Sequence, residues 1–211
     1  MAYPRSMELK TGTTTVGITT KDSVVLASDS RATMGYFIAN KTAKKIFKID
    51  DHIGATIAGS VADAQTIMDI LKAETKLYKL KNGKAMKIKS VARLLSNILF
   101  NARVYPYMLQ TIVGGIDDTG PHVYSLDPLG SVMPETYVST GSGSPVAYGV
   151  LESEYREDLT IDEAVEIAVK AVHSALERDA ATGNTIHAVI ITKEEGYQEV
   201  PQEKIEKIRQ K

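Results

Sequence analysis

Gly12-Thr13-Thr14-Thr15-Val16-Gly17-Ile18 stands just behind a short polar leader, Met1 to Thr11, in a chain of 211 residues. Thr13 to Thr20 is rich in β-branched residues, which fit a pleated strand better than a helix. The chain therefore opens on a strand. The same stretch carries a chemical possibility. One cut at Gly12–Thr13 makes Thr13 a chain terminus, with a hydroxyl nucleophile and an amine base on one residue. A free α-amine has an unperturbed pKa of about 7.7–8.0, against roughly 10.4 for lysine, and accepts a proton near neutral pH. Sixteen residues on comes Asp29-Ser30-Arg31, and sixteen further comes Lys45 within Lys44-Lys45-Ile46-Phe47.

Outward from this start the chain stays β-rich. Lys21-Asp22 supplies a turn, and Ser23 to Ser28 is a near-continuous apolar run. Ala43 to Ile49 alternates partly, Asp50-Asp51 turns, and Ile53 to Ala58 is apolar again. Gly59 marks a change to helical period. Val61, Ala64, Ile67, Met68, Leu71 and Leu77 make one apolar face up to about Leu80, where Asn82-Gly83 breaks it. A second helix is expected from Ile88 to Arg103. Strands return at Met108–Ile116, His122–Leu126 and Val132–Ser139, separated by Asp117-Asp118-Thr119-Gly120 and Asp127-Pro128-Leu129-Gly130. A short helix around Val146–Tyr155 follows. Thr160-Ile161-Asp162-Glu163 has the spacing of a capping box and opens a longer helix. Ile186–Thr192 and Tyr197–Val200 form a hairpin across Glu194-Glu195-Gly196, and the charged tail from Pro201 is weakly helical. The order is strands, two helices, strands, two helices, strands. Two antiparallel sheets packed on each other, with helix layers outside, cover every apolar face in that order.

Composition narrows the function. With 43% hydrophobic residues, the length suits one compact domain. A net charge of −1 leaves no field favouring nucleic acid or membrane lipid. The absence of cysteine excludes disulfides, thiolate metal sites and a cysteine nucleophile, and it fits an intracellular, cytoplasmic setting. No apolar stretch reaches membrane-spanning length. The leader has no apolar core of a secretory signal and reads as a disordered start or as a propeptide, residues 1–12, removed from a single catalytic domain, residues 13–211. His52, His122, His173 and His187 are scattered, without metal-ligand spacing. Gly141-Ser142-Gly143-Ser144 lacks the third glycine of a dinucleotide fingerprint, and there is no P-loop or G-x-S-x-G elbow.

Several stretches together resemble the proteasome β-subunit family, specifically its archaeal-type catalytic members. They are Thr11 to Gly17, Ala27 to Thr33, Lys44-Lys45-Ile46-Phe47, Ile57 to Gln65, Val113 to Asp117, Ser139 to Ser144 and Arg178 to Gly183. Each is weak alone; their order and spacing are specific, and they span Thr13 to about Val200. The resemblance implies an α+β fold, the four-layer αββα sandwich of N-terminal-nucleophile hydrolases, in agreement with the element order. It implies a threonine-type endopeptidase needing no metal or other cofactor. Thr13 matches the nucleophile, released by autocatalytic cleavage after Gly12. Lys45 matches the lysine beside it and Asp29 the acid that orients that lysine. Gly59 matches an oxyanion donor. Ser142 and Asp179 match residues around the terminal amine. Thr182 falls where many members carry serine.

Ala32, Ala43, Ile57 and Val61, with Phe47 near, are expected to line an apolar pocket for the residue preceding the cut bond. Thr33 and Gly59 would offer backbone groups to an extended substrate. The implied partners are α-subunit rings, other β-subunits in two stacked seven-membered rings, an ATP-dependent unfoldase acting indirectly, and unfolded polypeptide substrates. Competing readings are a non-catalytic ring subunit of the same fold, another N-terminal-nucleophile amidohydrolase, and the bacterial two-ring threonine protease. Inactive subunits tend to lack the terminal threonine or the lysine, and both are present here.

Overall fold

A computed structural model describes residues 12–210. The expected propeptide, residues 1–12, lies outside the described residues apart from its last member, Gly12. The chain runs β1 (Thr15–Thr19), β2 (Ser23–Asp29), β3 (Ala32–Met34), β4 (Phe37–Asn40), β5 (Ile46–Asp50), β6 (Ile53–Gly59), α1 (Val61–Asn82) and α2 (Ile88–Asn101). It continues through β7 (Leu109–Asp117), β8 (Gly120–Leu126), β9 (Val132–Glu135), β10 (Tyr137–Thr140), α3 (Ser144–Glu154), α4 (Ile161–Arg178), β11 (Ile186–Thr192), β12 (Gly196–Glu199) and α5 (Gln202–Arg209). One sheet has the order β10-β1-β2-β11-β12, the other β5-β6-β7-β8-β9, and β3–β4 is a separate hairpin. All pairings are antiparallel.

Three apolar layers hold four structural layers together. Strand β2 illustrates how period-two alternation does this. Val25 and Ala27 face α3, α4 and α5, whereas Val24 and Leu26 face the other sheet and meet Ile46, Ile112 and Val123. Every residue of β2 is buried, as a central strand covered on both faces must be. On the far side Ile53, Ala55, Leu109 and Val113 pack beneath α1 and α2. The sheets approach closely where side chains are missing. A Cβ on Gly17 would lie 2.9 Å from Ile112, and one on Gly114 2.9 Å from Val24. The result is the αββα sandwich expected from the element order.

The structure departs from the sequence reading in four places. Val132–Ser139, expected as one strand, is two: β9 is an edge of one sheet and β10 an edge of the other. The chain crosses between sheets at Thr136, whose carbonyl accepts from the Thr19 backbone N–H at 2.8 Å and from Thr19 Oγ1 at 2.9 Å. Pro134 sits within β9, where an edge strand tolerates a missing N–H. The β3–β4 hairpin carries exposed Met34, Tyr36 and Phe37 and shows no alternation to read. Val61 and Leu77, expected inward on α1, are 49% and 43% exposed, and Thr75 is buried instead. The tail is a regular helix, α5, with Ile205 and Ile208 buried against the α3–α4 layer.

The other boundaries follow local chemistry. Ser60 caps α1 by accepting from Asp63 N–H at 3.4 Å, and Gly83 ends it at φ 65°. Both halves of the Thr160–Glu163 capping box form. No helix among the described residues is long and apolar enough to cross a membrane.

Candidate active site

The site gathers at one end of the sandwich, where β1 and β2 begin and end. Antiparallel pairing sets Thr15 opposite Ser28, so Asp29 lies beside Thr14 and close to Thr13. Asp29 is fully buried and its carboxylate accepts four hydrogen bonds. Oδ1 takes Lys45 Nζ at 2.7 Å and the Thr14 N–H at 3.0 Å; Oδ2 takes the N–H groups of Arg31 and Gly183, each at 3.0 Å. That fills the acceptor capacity of an ionised carboxylate and fixes its plane.

Lys45 arrives from the loop before β5 and is 5% exposed. Burial holds its pKa below the ordinary lysine value, while Asp29 and, more weakly, Asp179 pull it back up. The Arg31 cation nearby pushes it down. Removing one member of such a pair strands the other charge, at a cost of about 3–5 kcal/mol.

Thr13 is 3% exposed, and Gly12 precedes it in unbroken chain. Its Oγ1 donates to the Gly12 carbonyl at 2.6 Å, and Lys45 Nζ donates to the same oxygen at 3.2 Å. The Gly12 N–H is held by Thr33 Oγ1 at 2.9 Å. One carbonyl thus sees a hydroxyl and a cation together.

On the other side of Thr13 is a chain of hydroxyls. Thr13 N–H donates to Ser142 Oγ at 3.2 Å, and Ser142 Oγ donates to Asp179 Oδ2 at 2.5 Å. A longer contact from Ser142 Oγ to the Thr13 carbonyl, 3.4 Å, competes poorly for the same proton. Thr182 Oγ1 also donates to Asp179 Oδ2, at 2.5 Å. Each hydroxyl has one proton. Because Thr182 spends its proton on Asp179, its 2.7 Å contact with Thr14 Oγ1 has Thr14 as donor. For the same reason Ser142 presents an acceptor to the Thr13 nitrogen. Gly141 makes this approach possible: at φ 95°, its Cβ would sit 2.1 Å from the Thr13 carbonyl oxygen.

Gly59 ends β6 at φ 136°, and a Cβ there would lie 2.0 Å from the Met108 carbonyl oxygen. Ala32, Thr33, Ala43, Ile57 and Val61 line one small cavity together with Thr13, Lys45 and Gly59. Phe47 does not line it; the ring is partly buried against the α1–α2 layer, with Lys72 Nζ 5.7 Å from its centre. The structure therefore brings together Gly12, Thr13, Asp29, Lys45, Gly59, Ser142, Asp179 and Thr182, and sets the apolar residues beside them.

A larger cavity opens between strands β5 and β12 around Ile46, Val189 and Tyr197. It also touches Lys45 but includes neither Thr13 nor Ser142. Burial pushes the Tyr197 hydroxyl up to about 12, so it stays protonated near neutral pH. Among the described residues no group of acidic, histidine or cysteine side chains could hold a metal ion. His52 meets the Met86 carbonyl and His122 meets Thr119, both away from the cluster.

Two contributors escape the sequence reading. Thr14 stands inside a strand-forming threonine run, and its buried hydroxyl ends the chain through Thr182 and Asp179. Arg31 lies within the quoted Asp29-Ser30-Arg31, but spacing alone gives its side chain no target.

The family profile described as "Proteasome subunit" matches residues 9–191. Three proteins named "Proteasome subunit beta" are similar over nearly their whole length. That of Methanothermobacter thermautotrophicus is 55% identical over 93% of this chain and 93% of its own. That of Methanopyrus kandleri is 52% identical over 95% and 97%. That of Methanosarcina mazei is 53% identical over 87% and 88%. With a profile match over most of its length and relatives above half identity, the chain belongs to the proteasome-subunit family, beside these archaeal β-subunits.

Proposed function

We propose that this β-type subunit is a threonine endopeptidase that first cuts itself and then cuts unfolded polypeptides. The observation that carries the reading is the convergence on the Gly12 carbonyl: Thr13 Oγ1 at 2.6 Å and Lys45 Nζ at 3.2 Å, with Lys45 tied to buried Asp29. In maturation Thr13 Oγ attacks the Gly12 carbonyl carbon. The Gly12–Thr13 C–N bond breaks, the nitrogen takes the hydroxyl proton, and an ester remains between Gly12 and Thr13 Oγ. Water hydrolyses the ester, releasing the leader as a carboxylic acid and leaving Thr13 with a free α-amine.

In turnover the same oxygen attacks a substrate carbonyl. The α-amine accepts its proton and returns it to the leaving amine, and water resolves the acyl-enzyme. Ser142, committed as a donor to Asp179, accepts from the amine and leaves the lone pair free to face Oγ. Lys45 as an ammonium favours the alkoxide-like state, and the Gly59 N–H stabilises the developing oxyanion. The apolar residues of the neighbouring cavity, Ala32, Ala43, Ile57 and Val61, favour a large hydrophobic residue before the cut bond.

The finer assignments extend to seven-membered β rings stacked in pairs between α rings, in the cytoplasm, with substrates fed by an ATP-driven unfoldase. The presence of both Thr13 and Lys45 favours a catalytic over a scaffolding subunit. The test is intact mass of the chain co-expressed with an α-type proteasome subunit. The expected mass lacks residues 1–12, and Thr13→Ala retains them. Normal loss of the leader in assemblies made wholly of Thr13→Ala chains would overturn self-cleavage.

A further inference from the structure

Arg31 follows β2 by two residues and does not line the cavity beside Thr13. Its side chain reaches instead to the loop after α4. Nη1 donates to the Ala180 carbonyl at 2.9 Å and Nε to Asn184 Oδ1 at 3.0 Å. Between these anchors the Gly183 peptide lies against the guanidinium plane: a Cβ on Gly183 would come within 2.2 Å of Arg31 Cζ. Asn184 is the one non-glycine residue with positive φ among the described residues, at 69°. A conformation of this kind persists where surrounding contacts hold it. The neighbouring backbone completes the dock. Ser30 N–H donates to the Gly183 carbonyl at 3.3 Å, Thr185 N–H to Ser30 Oγ at 2.9 Å, and Gly183 N–H to Asp29.

The docked loop is the one that carries Asp179 and Thr182. We infer that Arg31 is a positioning residue: its guanidinium clamps residues 180–184 to the end of β2 and so sets Asp179 and Thr182 for the chemistry at Thr13. The inference rests on Thr13 being the nucleophile. A planar fork is needed, because the two acceptors lie on either side of a peptide that must stack on the group between them. A lysine ammonium offers a point charge and no face. Arg31 also acts at a distance. Lys45 feels Asp29, Asp179 and Arg31, and of these only Arg31 disfavours its proton. In the proposed mature chain the free α-amine of Thr13 would face it as well. Without Arg31 the Lys45 ammonium persists to higher pH.

The experiment compares wild type, Arg31→Ala, Arg31→Lys, Asn184→Gly and Thr13→Ala in particles assembled with an α-type subunit. Leader removal, peptide hydrolysis and its pH profile are read on each. Misplacing a catalytic group by about an ångström costs on the order of 100-fold. Arg31→Ala and Arg31→Lys are expected to lose about 10- to 100-fold in kcat, with KM changed less than about threefold. Millimolar guanidinium should restore about a third or more of the kcat lost by Arg31→Ala, as a ligand filling the vacated plane. The alkaline limb of Arg31→Ala should move to higher pH. Asn184→Gly relieves the positive φ but loses Oδ1, and is expected to lose less than Arg31→Ala. It also serves as the folded control should Arg31→Ala fail to assemble. Wild-type kcat in both Arg31 variants would sink the clamp while leaving Thr13 in place. So would a loss that guanidinium does not rescue and that leaves the pH limb unmoved. Activity surviving in Thr13→Ala would instead remove the nucleophile reading beneath it.

Discussion

At the scale of single residues the site separates charge from nucleophilicity. Thr13→Ser keeps hydroxyl and amine and is expected to retain substantial peptide hydrolysis. Lys45→Ala should lose nearly all of it while the particle still assembles. Lys45→Arg should fail as well, since a planar guanidinium does not fit the space of a compact ammonium 2.7 Å from Asp29. Steady-state rates on one fluorogenic peptide decide this; near-normal hydrolysis by Lys45→Ala would exclude Lys45 from the mechanism. The pH dependence has a definite sign. Burial holds the folded pKa of Lys45 below the ordinary lysine value. Between the two values the unfolded chain binds the extra proton, so the Lys45 contribution to stability rises with pH there. Activity that needs the ammonium falls over the same window. Parallel rate and melting measurements above pH 8 should show an activity loss that precedes unfolding. A loss that tracked unfolding would assign the limb to denaturation.

At the scale of elements, the apolar pocket is built from four places: Ala32 on β3, Ala43 in the loop before β5, Ile57 on β6 and Val61 at the start of α1. Burying a large aliphatic or aromatic side chain is worth about 1.5–3 kcal/mol, and an unpaired charge is penalised. Peptides with Leu, Phe or Tyr before the cut bond are expected to be cleaved faster than those with Arg or Asp. Val61→Glu should shift preference toward basic residues, and Val61 is 49% exposed, so the substitution need not disturb the core. A panel differing only at that residue tests it; wild-type preference for Arg would refute the pocket.

Much at this scale was legible in the sequence. The Thr160–Glu163 cap spans four consecutive residues, so its spacing states its geometry. Thr13, Asp29 and Lys45 stand in the recognisable stretches that the structure brings together. The crossing at Thr136 was not legible, because Val132 to Ser139 has the same strand-like character on both sides and says nothing of which sheet each half joins. Val61 and Leu77 read as inward on α1 because helical period reports a face but not how deeply each residue on it is covered. Arg31 and Thr14 meet partners more than 140 positions away, a distance at which periodicity carries no information.

For the whole molecule, the interior layer between the sheets is the structural keystone. Leu26 is fully buried there, between Gly17 and Gly114, and its neighbours close in because those positions lack side chains. Leu26→Ala should destabilise the chain by about 2–5 kcal/mol, read as a lower urea midpoint at unchanged slope. A change below about 0.5 kcal/mol, the usual range for surface substitutions, would mean that the two sheets do not depend on this contact.

Gly12 has a further consequence. A Cβ at this position would fall 1.9 Å from Ala181, so the leader occupies its seat only as glycine. Polypeptides met later, with a side chain before the bond to be cut, must lie differently and direct that group elsewhere. On the proposed mechanism the chain carries two recognition codes in one cleft, one read once from its own leader and the other read at every later turnover. An ordinary product cannot settle back into the leader's place, which would make the proposed maturation a one-way latch. Gly12→Ala should therefore leave the latch shut, with the leader retained in the intact mass, although every residue of the catalytic cluster is unaltered.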